Sequence, residues 1–413
     1  MTLTETTARE GRRSPLRDGR RILLFAILAA ALTGPGQTIG VSVFIDHFID
    51  DLDISREEVS AAYLVGTLTA SLFLPSVGRF IDRHGVRRSQ VIIGFVFALV
   101  LVNMSFVTGL VTLAVGFIGI RLLGQGSLTL VSTVTVSLRF DRDRGTALGV
   151  FSTFTAGLLA VAPILLGFAI SIWGWRNAWL ISAAVILVTV VPLGWFGLAS
   201  MPTSSAQATR ESARRSGSAD ASNGSVSKGE AVRTRGFWIL VAISGSASML
   251  TTALNFHQID LLTSAGLSVA AAAALFLPQV IGSSLAGFGF GVLIDRVGGR
   301  FLPAASVGLL FVAHLFAAIV APGLIVFVYA ISLGAAGGAI RTVTTAMLPK
   351  WFGTNELGSI QGTLTTISVG FSAVGPLTLA FLESSTGSYS TSVLILALIP
   401  LAAALFSLAA PNR

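Results

Sequence analysis

The sequence GRFIDRHGVRR at Gly78–Arg88 decides the fold, because a related stretch, GVLIDRVGGR, follows at Gly291–Arg300. Each stretch places an aspartate among arginines directly after a long apolar segment. Other positions recur at the same offset of 213 residues, namely Ser55 with Ser268, Gly145 with Gly358, Gly149 with Gly362, and Pro163 with Pro376. A parallel repeat of this length predicts two halves that share one fold.

The segments around these stretches are long enough to cross a membrane. Hydrophobic residues make up 53% of the 413 residues and charged residues 11%, whereas a soluble domain has about 25% charged residues. A helix needs roughly 20 apolar residues to cross the bilayer core. The sequence therefore predicts an all-α membrane protein and excludes a soluble enzyme. Twelve transmembrane helices are expected, at 22–45, 59–78, 90–108, 112–138, 146–172, 178–199, 237–259, 269–294, 302–320, 323–348, 358–382 and 391–410.

Basic residues fall on alternate loops of this arrangement. Of the 27 lysine and arginine residues, 23 lie on one side, while the opposite loops hold Arg56 and Arg176. Loops rich in lysine and arginine face the cytoplasm, so both termini are expected there, in a multi-pass protein of the cell's inner membrane. The net charge of +8 is then a topology signal, and no nucleic-acid partner is expected.

The expected domain organisation follows from a change in composition. Residues 201–236 are rich in serine, alanine and arginine, a composition that cannot form a core, and are predicted to be a flexible cytoplasmic linker. It joins an N-terminal six-helix bundle at 22–200 to a C-terminal six-helix bundle at 237–410. Cytoplasmic tails are expected at 1–21 and 411–413.

Both repeated stretches resemble the signature loop of the major facilitator superfamily, which lies between spans two and three and recurs between spans eight and nine. The sequence RLLGQG at Arg121–Gly126 resembles the fourth-span motif of that family. The resemblance implies the major facilitator fold, in which two pseudo-symmetric six-helix bundles expose a central site alternately to each side.

The resemblance also implies a role for the charges of the signature loop. Asp82 and Arg83, with their counterparts Asp295 and Arg296, are expected to act as a cytoplasmic latch that holds one access state. The alternative is a loop whose charges are simply solvated.

A further resemblance concerns the substrate. FDRDRGTALG at Phe140–Gly149, followed by Gly174–Arg176, is similar to bacterial relatives of monocarboxylate and oxalate–formate carriers. Eukaryotic monocarboxylate carriers have a lysine in the first span and an Asp/Arg pair in the eighth, where this sequence has Gln37 and Gln279, so their site is not transferred. Drug/proton antiporters carry Gly-Pro followed by Gly-Gly in span five, which APILLG at Ala162–Gly167 lacks.

Two arginines lie inside predicted spans, where a charge costs about 2.5–3.5 kcal/mol on insertion scales. Arg341 precedes Lys350 by nine residues, which places it roughly 13 Å inside the membrane, near the midplane. Arg121 precedes Arg139 by eighteen residues and is expected in the outer part of span four. Both are predicted to bind substrate. A structural ion pair is the alternative for Arg341, and a gating role is the alternative for Arg121.

Amide side chains inside the spans complete the predicted binding site, namely Gln37, Gln125, Asn255, Gln258, Gln279 and Gln361. Hydrogen bonding between helices is the alternative role for such residues. His257 and Asp260, three residues apart, would share one helix face and are the candidates for proton coupling, because histidine titrates near neutral pH. A packed, hydrogen-bonded histidine is the alternative.

These residues together predict a function. The sequence has no cysteine and no HExxH, GxSxG or Walker motif, so neither catalysis nor a cofactor or metal is expected. Two buried arginines without an evident carboxylate require an anion, which a substrate can supply. We expect a monomeric secondary transporter that moves a small organic anion, a monocarboxylate, by alternating access. Coupling to protons, uniport and anion exchange remain open, and export of amphipathic drug-like compounds is the alternative.

Overall fold

The structure, a computed structural model, describes residues 15–140, 144–199, 201, 227–297, 301–353 and 356–408. These residues form helices and no strand, which confirms the all-α prediction for the described part of the chain. Most of the expected linker, the first part of the N-terminal tail, and residues 411–413 lie outside the described residues.

The helices are numbered in chain order. They are α1 (Pro15–Ala31), α2 (Thr38–Val41), α3 (Ile45–Leu52), α4 (Arg56–Ser105), α5 (Leu110–Ile120), α6 (Thr129–Arg139), α7 (Arg144–Pro192), α8 (Lys228–Ala231), α9 (Arg235–Phe256), α10 (Gln258–Ser264), α11 (Val269–Ala274), α12 (Phe276–Val297), α13 (Leu302–Ala318), α14 (Leu324–Phe352), α15 (Leu357–Thr386) and α16 (Tyr389–Ser407). A π-helical segment, Arg121–Leu128, joins α5 to α6, and another, Leu193–Gly197, extends α7.

Eight helical stretches among the described residues are long and apolar enough to cross a membrane, and α13 is a shorter apolar helix. Two of these helices are too long for one crossing. The helix α4 contains 50 residues, or roughly 75 Å if straight, against a bilayer core of about 30 Å. It bends at Gly85, where φ is 74°, and α7 bends at Gly174, where φ is 78°. The prediction of a loop after span two is therefore wrong. The helix continues to Gly85, and the chain turns there at a single glycine with positive φ.

An arginine two residues after each bend satisfies the end of a neighbouring helix. Arg87 donates from Nε to the carbonyl of Trp195 at 2.9 Å. Arg176 donates from Nη1 to the carbonyls of Ser105, at 3.0 Å, and Val107, at 2.9 Å. Carbonyls at a helix C-terminus have no partner within the helix. Each arginine therefore binds the end of a neighbouring helix and fixes the position of its own bend relative to that helix.

The first predicted span is broken at Gly34-Pro35-Gly36. These three residues form a short 3-10 turn between α1 and α2, as expected of a proline that lacks a donor N–H. The turn packs where α5 meets the π-helical segment, and a Cβ on Gly36 would lie 2.6 Å from the carbonyl oxygen of Ile120 and 3.1 Å from Cα of Gly124. The glycine thus permits backbone-to-backbone contact beside the break.

The internal repeat is visible in local structure. Ser55 accepts a hydrogen bond from the backbone N–H of Glu58 at the start of α4, and the side chain of Glu58 accepts one from the backbone of Ser55. The two hydrogen bonds form a capping box. The counterpart Ser268 caps α11 in the same way, through the N–H of Ala271 at 3.2 Å. Both serines of the repeat therefore cap the start of a helix through the side-chain oxygen.

Candidate functional site

A cavity of about 570 Å³ lies between the N-terminal and C-terminal halves of the chain, within the usual size of small-molecule sites. We call it the central cavity. Helices α2 and α7 form one wall, and α9, α12 and α14 form the other. The side chains of Ser152, Thr153 and Arg341 in its lining are exposed, so the cavity opens toward the end of the molecule where α7 starts and α14 finishes.

The two walls differ in chemistry. The first wall contributes mainly apolar side chains, which are Ile39, Ala156, Leu159 and Ala160. The second wall contributes most of the polar side chains, which are Thr251, Asn255, Gln279, Ser283, Ser284, Arg341 and Thr342, and it also carries the large apolar side chains of Phe276, Phe288 and Leu333. The polar groups available to a ligand therefore lie mainly on one wall, whereas both walls offer apolar surface.

Among the described residues that line the central cavity, Arg341 is the one with a charged side chain. Its guanidinium has no ion pair and no hydrogen bond with any residue that the structure describes. Thr345, one turn further along α14, donates to the carbonyl of Arg341 rather than meeting its side chain. A guanidinium with free donors facing a cavity can bind a carboxylate through two parallel hydrogen bonds.

Two further polar atoms in this wall are without partners. The Oγ1 atom of Thr251 and the Oδ1 atom of Asn255 are buried, and neither forms a hydrogen bond with the described residues. The two residues lie one turn apart on α9. Because a buried polar atom without a partner costs about 1–3 kcal/mol, a ligand or water in the central cavity is expected to complete these bonds.

Two hydrogen-bonded glutamine side chains stabilise the same wall. Gln279 lines the central cavity and donates from Nε2 to Oε1 of Gln258 at 2.5 Å. Gln258 is fully buried behind it and donates to the carbonyl of Ala272 at 3.0 Å. Gln258 therefore positions Gln279, and its own amide does not reach the cavity.

The polar wall is held together by a close helix crossing. A Cβ on Gly334 of α14 would lie 1.8 Å from the carbonyl oxygen of Gln279 on α12, and one on Gly338 would lie 2.0 Å from that of Ser283. Glycines four residues apart share a helix face and let two backbones touch. This contact fixes where α12 presents Gln279 and Ser283 beside Arg341.

Arg121 lies elsewhere, in a separate buried cluster of the N-terminal half. Its side chain is 4% exposed. Its guanidinium donates to Oγ1 of Thr67 at 3.1 Å, to Oγ1 of Thr38 at 3.2 Å and to Oε1 of Gln125, and it lies 4.7 Å from the ring centre of Tyr63. Neutral oxygens and an aromatic face thus hold this cation, and none of the described carboxylates pairs with it.

The other predicted amides are not in the lining either. Gln37 donates to Oγ1 of Thr33 at 2.9 Å, beside the break in the first helix. Gln361 is exposed on α15. The structure brings together Arg341, Asn255 and Gln279 of the predicted site, and places Arg121, Gln37, Gln125, Gln258 and Gln361 outside the lining of the central cavity.

The predicted latch residues lie at the open end. Asp82 and Arg83 are exposed on α4, 26 residues after Arg56, which corresponds to roughly 39 Å along the helix. Arg296 is exposed in the last turn of α12. Asp295 is part of the same helix, but its side chain lies outside what the structure describes.

The opposite end is closed by contacts between the two halves. Arg56 of α4 donates from Nη2 to Oδ1 of Asp46 at 2.7 Å and lies 3.3 Å from Oδ2 of Asp260 on α10. Tyr389 of α16 donates its hydroxyl to the same Asp260 oxygen. His257, between α9 and α10, lies with Nδ1 3.4 Å from that hydroxyl. We call these residues, with the aromatic pair described next, the closed end.

An aromatic contact lies next to these charges. The rings of Tyr63 and Phe256, one from each half, have centres 4.6 Å apart. The hydroxyl of Tyr63 is 2.7 Å from Oγ1 of Thr38, so the same tyrosine also contacts the Arg121 cluster. Sequence reasoning missed Arg56, Tyr63 and Tyr389. Arg56 and Tyr63 meet residues of the other half, and Tyr389 meets Asp260, 129 residues away, and no local pattern in the sequence indicates such contacts.

Comparisons with known proteins identify the family of this chain. The family model described as Major Facilitator Superfamily matches residues 23–333. Over 177 residues the chain is 28% identical to the "MFS antiporter QDR3" of Candida albicans, and over 113 residues it is 33% identical to human "Monocarboxylate transporter 14". These matches cover 41% and 27% of the chain, and 25% and 22% of the two relatives, so the chain spans about a quarter of the length of each relative.

Solved structures show the same fold over almost the whole chain. A bacterial homologue of the human lysosomal transporter Spinster, in an inward-facing and occupied conformation, superposes with a TM-score of 0.73 at 16% identity, covering 95% of this chain and 96% of that one. Its inward-facing and unoccupied conformation gives a TM-score of 0.74 at 16% identity, covering 96% and 97%. With a family model that matches most of its residues, the chain belongs to the Major Facilitator Superfamily, a family of multi-pass membrane transporters.

Proposed function

We propose that the protein is a secondary active transporter that moves a small organic anion, a monocarboxylate, across the cytoplasmic membrane by alternating access. The observation that carries the proposal is Arg341, whose guanidinium faces the central cavity without a partner among the described residues. A cation in a membrane-embedded cavity needs an anion. The substrate carboxylate supplies it and is held by the planar guanidinium.

The rest of the lining supports an anion of this kind. None of the described residues that line the central cavity is a carboxylate, so an organic cation would find no partner among them and would face Arg341. Thr251 and Asn255 offer hydrogen bonds to polar substrate atoms near the carboxylate. Ile39, Leu159 and the neighbouring alanines suit a short apolar tail.

We further propose the arrangement of twelve membrane crossings in two six-helix bundles. The bends at Gly85 and Gly174 divide α4 and α7 into two crossings each, and the broken first helix and the short α13 add two more. The basic residues of this arrangement lie at the open end, which favours a cytoplasmic position for that end and for both termini. The central cavity then faces the cytoplasm. We propose that a monomer is the functional unit.

The latch belongs to the same proposal. In the state open toward the cytoplasm, Asp82, Arg83 and Arg296 are exposed. We propose that these charges, with Asp295, meet helix ends of the other bundle when the open end closes. The latch would then favour the state that opens to the outside.

The experiment that tests the proposed function replaces Arg341 with glutamine. A hydrogen bond to a charged group contributes about 1.5–3 kcal/mol, so Arg341→Gln is expected to weaken carboxylate binding roughly 10- to 150-fold. Arg341→Lys should retain part of the affinity, because the charge remains while the planar fork is lost. Binding is measured with purified protein against a panel of short monocarboxylates and hydrophobic cations, and uptake is measured in proteoliposomes.

Lys350→Gln is the matched control. It removes a positive charge from the same helix, α14, at an exposed position outside the lining of the central cavity, and should leave carboxylate binding unchanged. Normal carboxylate binding by Arg341→Gln would refute the anion site.

A second candidate function is export of amphipathic drug-like compounds. It is favoured by the large apolar side chains of the lining, Phe276, Phe288 and Leu333, and by the partial similarity to an antiporter. Under this alternative, hydrophobic cations bind, carboxylates do not, and Arg341→Gln leaves binding unchanged. The same panel of ligands therefore separates the two functions.

A further inference from the structure

A groove runs along α1 on the side of the N-terminal half, where α1 meets α7. Two cavities, of about 630 Å³ and about 300 Å³, join there, because Leu28 and Leu32 line both of them. The larger cavity begins at Arg21, and the smaller one ends at Gly34 and Pro35, in the break of the first helix. We call the two cavities together the side groove.

The side groove starts at the open end of the molecule and has the depth of one leaflet. A Cβ on Gly19 would lie 3.4 Å from the ring of Phe140, shortly before the start of α7. Arg21 and Leu32 are eleven residues apart, or roughly 16 Å along a helix. The bilayer core is about 30 Å thick, so one leaflet accounts for about 15 Å of it. The side groove therefore reaches from the headgroup level to the middle of a bilayer.

The side groove has a charge at its start and mainly apolar side chains along its length. Arg21 is the one charged residue among the described residues that line it. Phe25 and Leu32 follow on the same face of α1. The opposite wall includes Val188 of α7 and Phe196 of its π-helical extension, which are 71% and 76% exposed. This division of charge and apolar surface matches a lipid with an anionic head and a hydrocarbon chain.

Arg21 is available to an anion at the headgroup level. Its side chain is exposed and forms no ion pair or hydrogen bond with the residues that the structure describes. Its guanidinium lies 5.7 Å from the ring centre of Phe25, which places it over the start of the side groove. At the same end, Arg87 lies 4.9 Å from the ring centre of Trp195, the residue before Phe196. Tryptophan is enriched where membrane helices meet the headgroups.

The internal repeat does not account for the side groove. At the offset of 213 residues, Leu32 and Leu158 of the lining correspond to Gly245 and Phe371. The ring of Phe371 lies 3.0 Å from the position of a Cβ on Gly245, so the C-terminal half fills this position with a side chain of its own. The counterpart of Arg21 is the neutral threonine that caps α9. The charge and the open space are therefore features of the N-terminal half.

We propose that the side groove is a binding site for an anionic phospholipid of the leaflet at the open end. The phosphate binds the guanidinium of Arg21, and one acyl chain lies along Leu28 and Leu32 toward the break at Gly34–Gly36. Phosphate and guanidinium form charge-assisted hydrogen bonds, and basic pockets between membrane helices bind acidic headgroups. The proposal does not depend on the substrate of the central cavity.

The far end of the side groove connects the lipid to the central cavity. A Cβ on Gly34 would lie 2.6 Å from that of Ala162, and one on Gly40 would lie 3.4 Å from the side chain of Leu166. Ala162 and Leu166 line the side groove, whereas Ile39 lines the central cavity. An acyl chain in the side groove therefore supports the break of the first helix directly beside the central cavity.

The test measures which lipids stay bound to the purified protein. The protein is extracted in mild detergent from vesicles of equal parts phosphatidylglycerol and phosphatidylcholine, and the bound lipids are counted by mass spectrometry of the intact complex. Phosphatidylglycerol is expected to exceed phosphatidylcholine. Arg21→Gln should lower this ratio about fivefold, the effect of one basic residue near a membrane surface. Arg20→Gln is the matched control, because Arg20 is also exposed but does not line the side groove, and it should keep the ratio.

A second pair of variants tests the position of the acyl chain. Leu28→Trp places a large ring where the two cavities join and should lower the amount of bound phosphatidylglycerol. Leu24→Trp, one turn away at an exposed position of α1 outside the lining, should leave this amount unchanged. Water-soluble glycerol phosphate has the headgroup chemistry without a chain, and an excess of it should not displace the lipid.

An unchanged lipid ratio in Arg21→Gln would overturn the proposal. Equal losses in Arg21→Gln and Arg20→Gln would also overturn it, since they would show a general attraction to the basic end of the molecule. Normal lipid binding by Leu28→Trp, or displacement by glycerol phosphate, would show that no acyl chain occupies the side groove. Each variant's melting temperature shows that it is folded, and Arg21→Gln, at an exposed position, tests the site even if Leu28→Trp does not fold.

Discussion

Gly338→Ala is expected to force apart the two helices that form the polar wall of the central cavity. A Cβ at Gly338 would lie 2.0 Å from the carbonyl oxygen of Ser283, where an ordinary contact begins at 3.4 Å. The backbone of α14 must therefore move by roughly 1.4 Å, because the opposing atom is backbone and cannot rotate away. Gly337, the preceding residue on the same helix, has no atom within 4 Å of the corresponding position.

The size of the effect follows from comparing these neighbours. Overpacking of a close contact costs about 1–3 kcal/mol. Both substitutions replace a helical glycine with alanine, which by itself raises the free energy of unfolding by about 1 kcal/mol. This contribution is the same for both variants and cancels in the comparison. Gly338→Ala should therefore be about 1–3 kcal/mol less stable than Gly337→Ala.

The assay is the apparent melting temperature of each purified variant in the same detergent. Gly338→Ala should melt below the unsubstituted protein, and Gly337→Ala at or above it. Equal melting temperatures for the two variants would show that α12 and α14 do not touch at this crossing, and that some other contact sets the positions of Gln279 and Ser283.

Two other variants test the ends of the helices. Arg176→Gln should lower the free energy of unfolding by about 0.5–1.5 kcal/mol for each lost hydrogen bond to the carbonyls of Ser105 and Val107, which is measured as a lower melting temperature. An unchanged melting temperature would mean that water replaces the arginine fully. Asp82→Asn is tested on a chain that carries Ile39→Cys as its single thiol, in the lining of the central cavity, with a membrane-impermeant thiol reagent in right-side-out and inside-out vesicles. Asp82→Asn should lower the ratio of outside to inside labelling, because a latch at the open end would be weakened while the closed end is intact. A raised ratio would contradict the proposed direction of the latch.

The local features were predictable because each depends on a few neighbouring residues. Proline and glycine at Gly34–Gly36 break the first helix wherever it packs. The Ser55 cap needs only Glu58, three residues on. The turn within Gly78–Arg88 was predicted as a loop and is a helical bend, since the sequence did not indicate that a single positive-φ residue, Gly85, would suffice.

The candidate site was only partly predictable. Arg121 and Arg341 give the same signal, an arginine inside an apolar span, yet one is enclosed by its own half and the other faces the central cavity. The difference arises from Thr67 and Thr38, which are 54 and 83 residues from Arg121 in sequence. A span's periodicity shows which residues share a face, but not which helix that face will meet.

The sequence by itself determined that this protein is helical, spans a membrane and is built from a repeat, because apolar length, helix breaks and a constant offset are properties of the chain alone. The tertiary structure decided which polar residues share the central cavity and which end is closed. Arg56 and Asp260 belong to different halves, and their contact exists only in one arrangement of those halves. Alternating access, as proposed, requires the same sequence to support two arrangements. The choice between them then depends on contacts between distant segments, which only the folded molecule specifies.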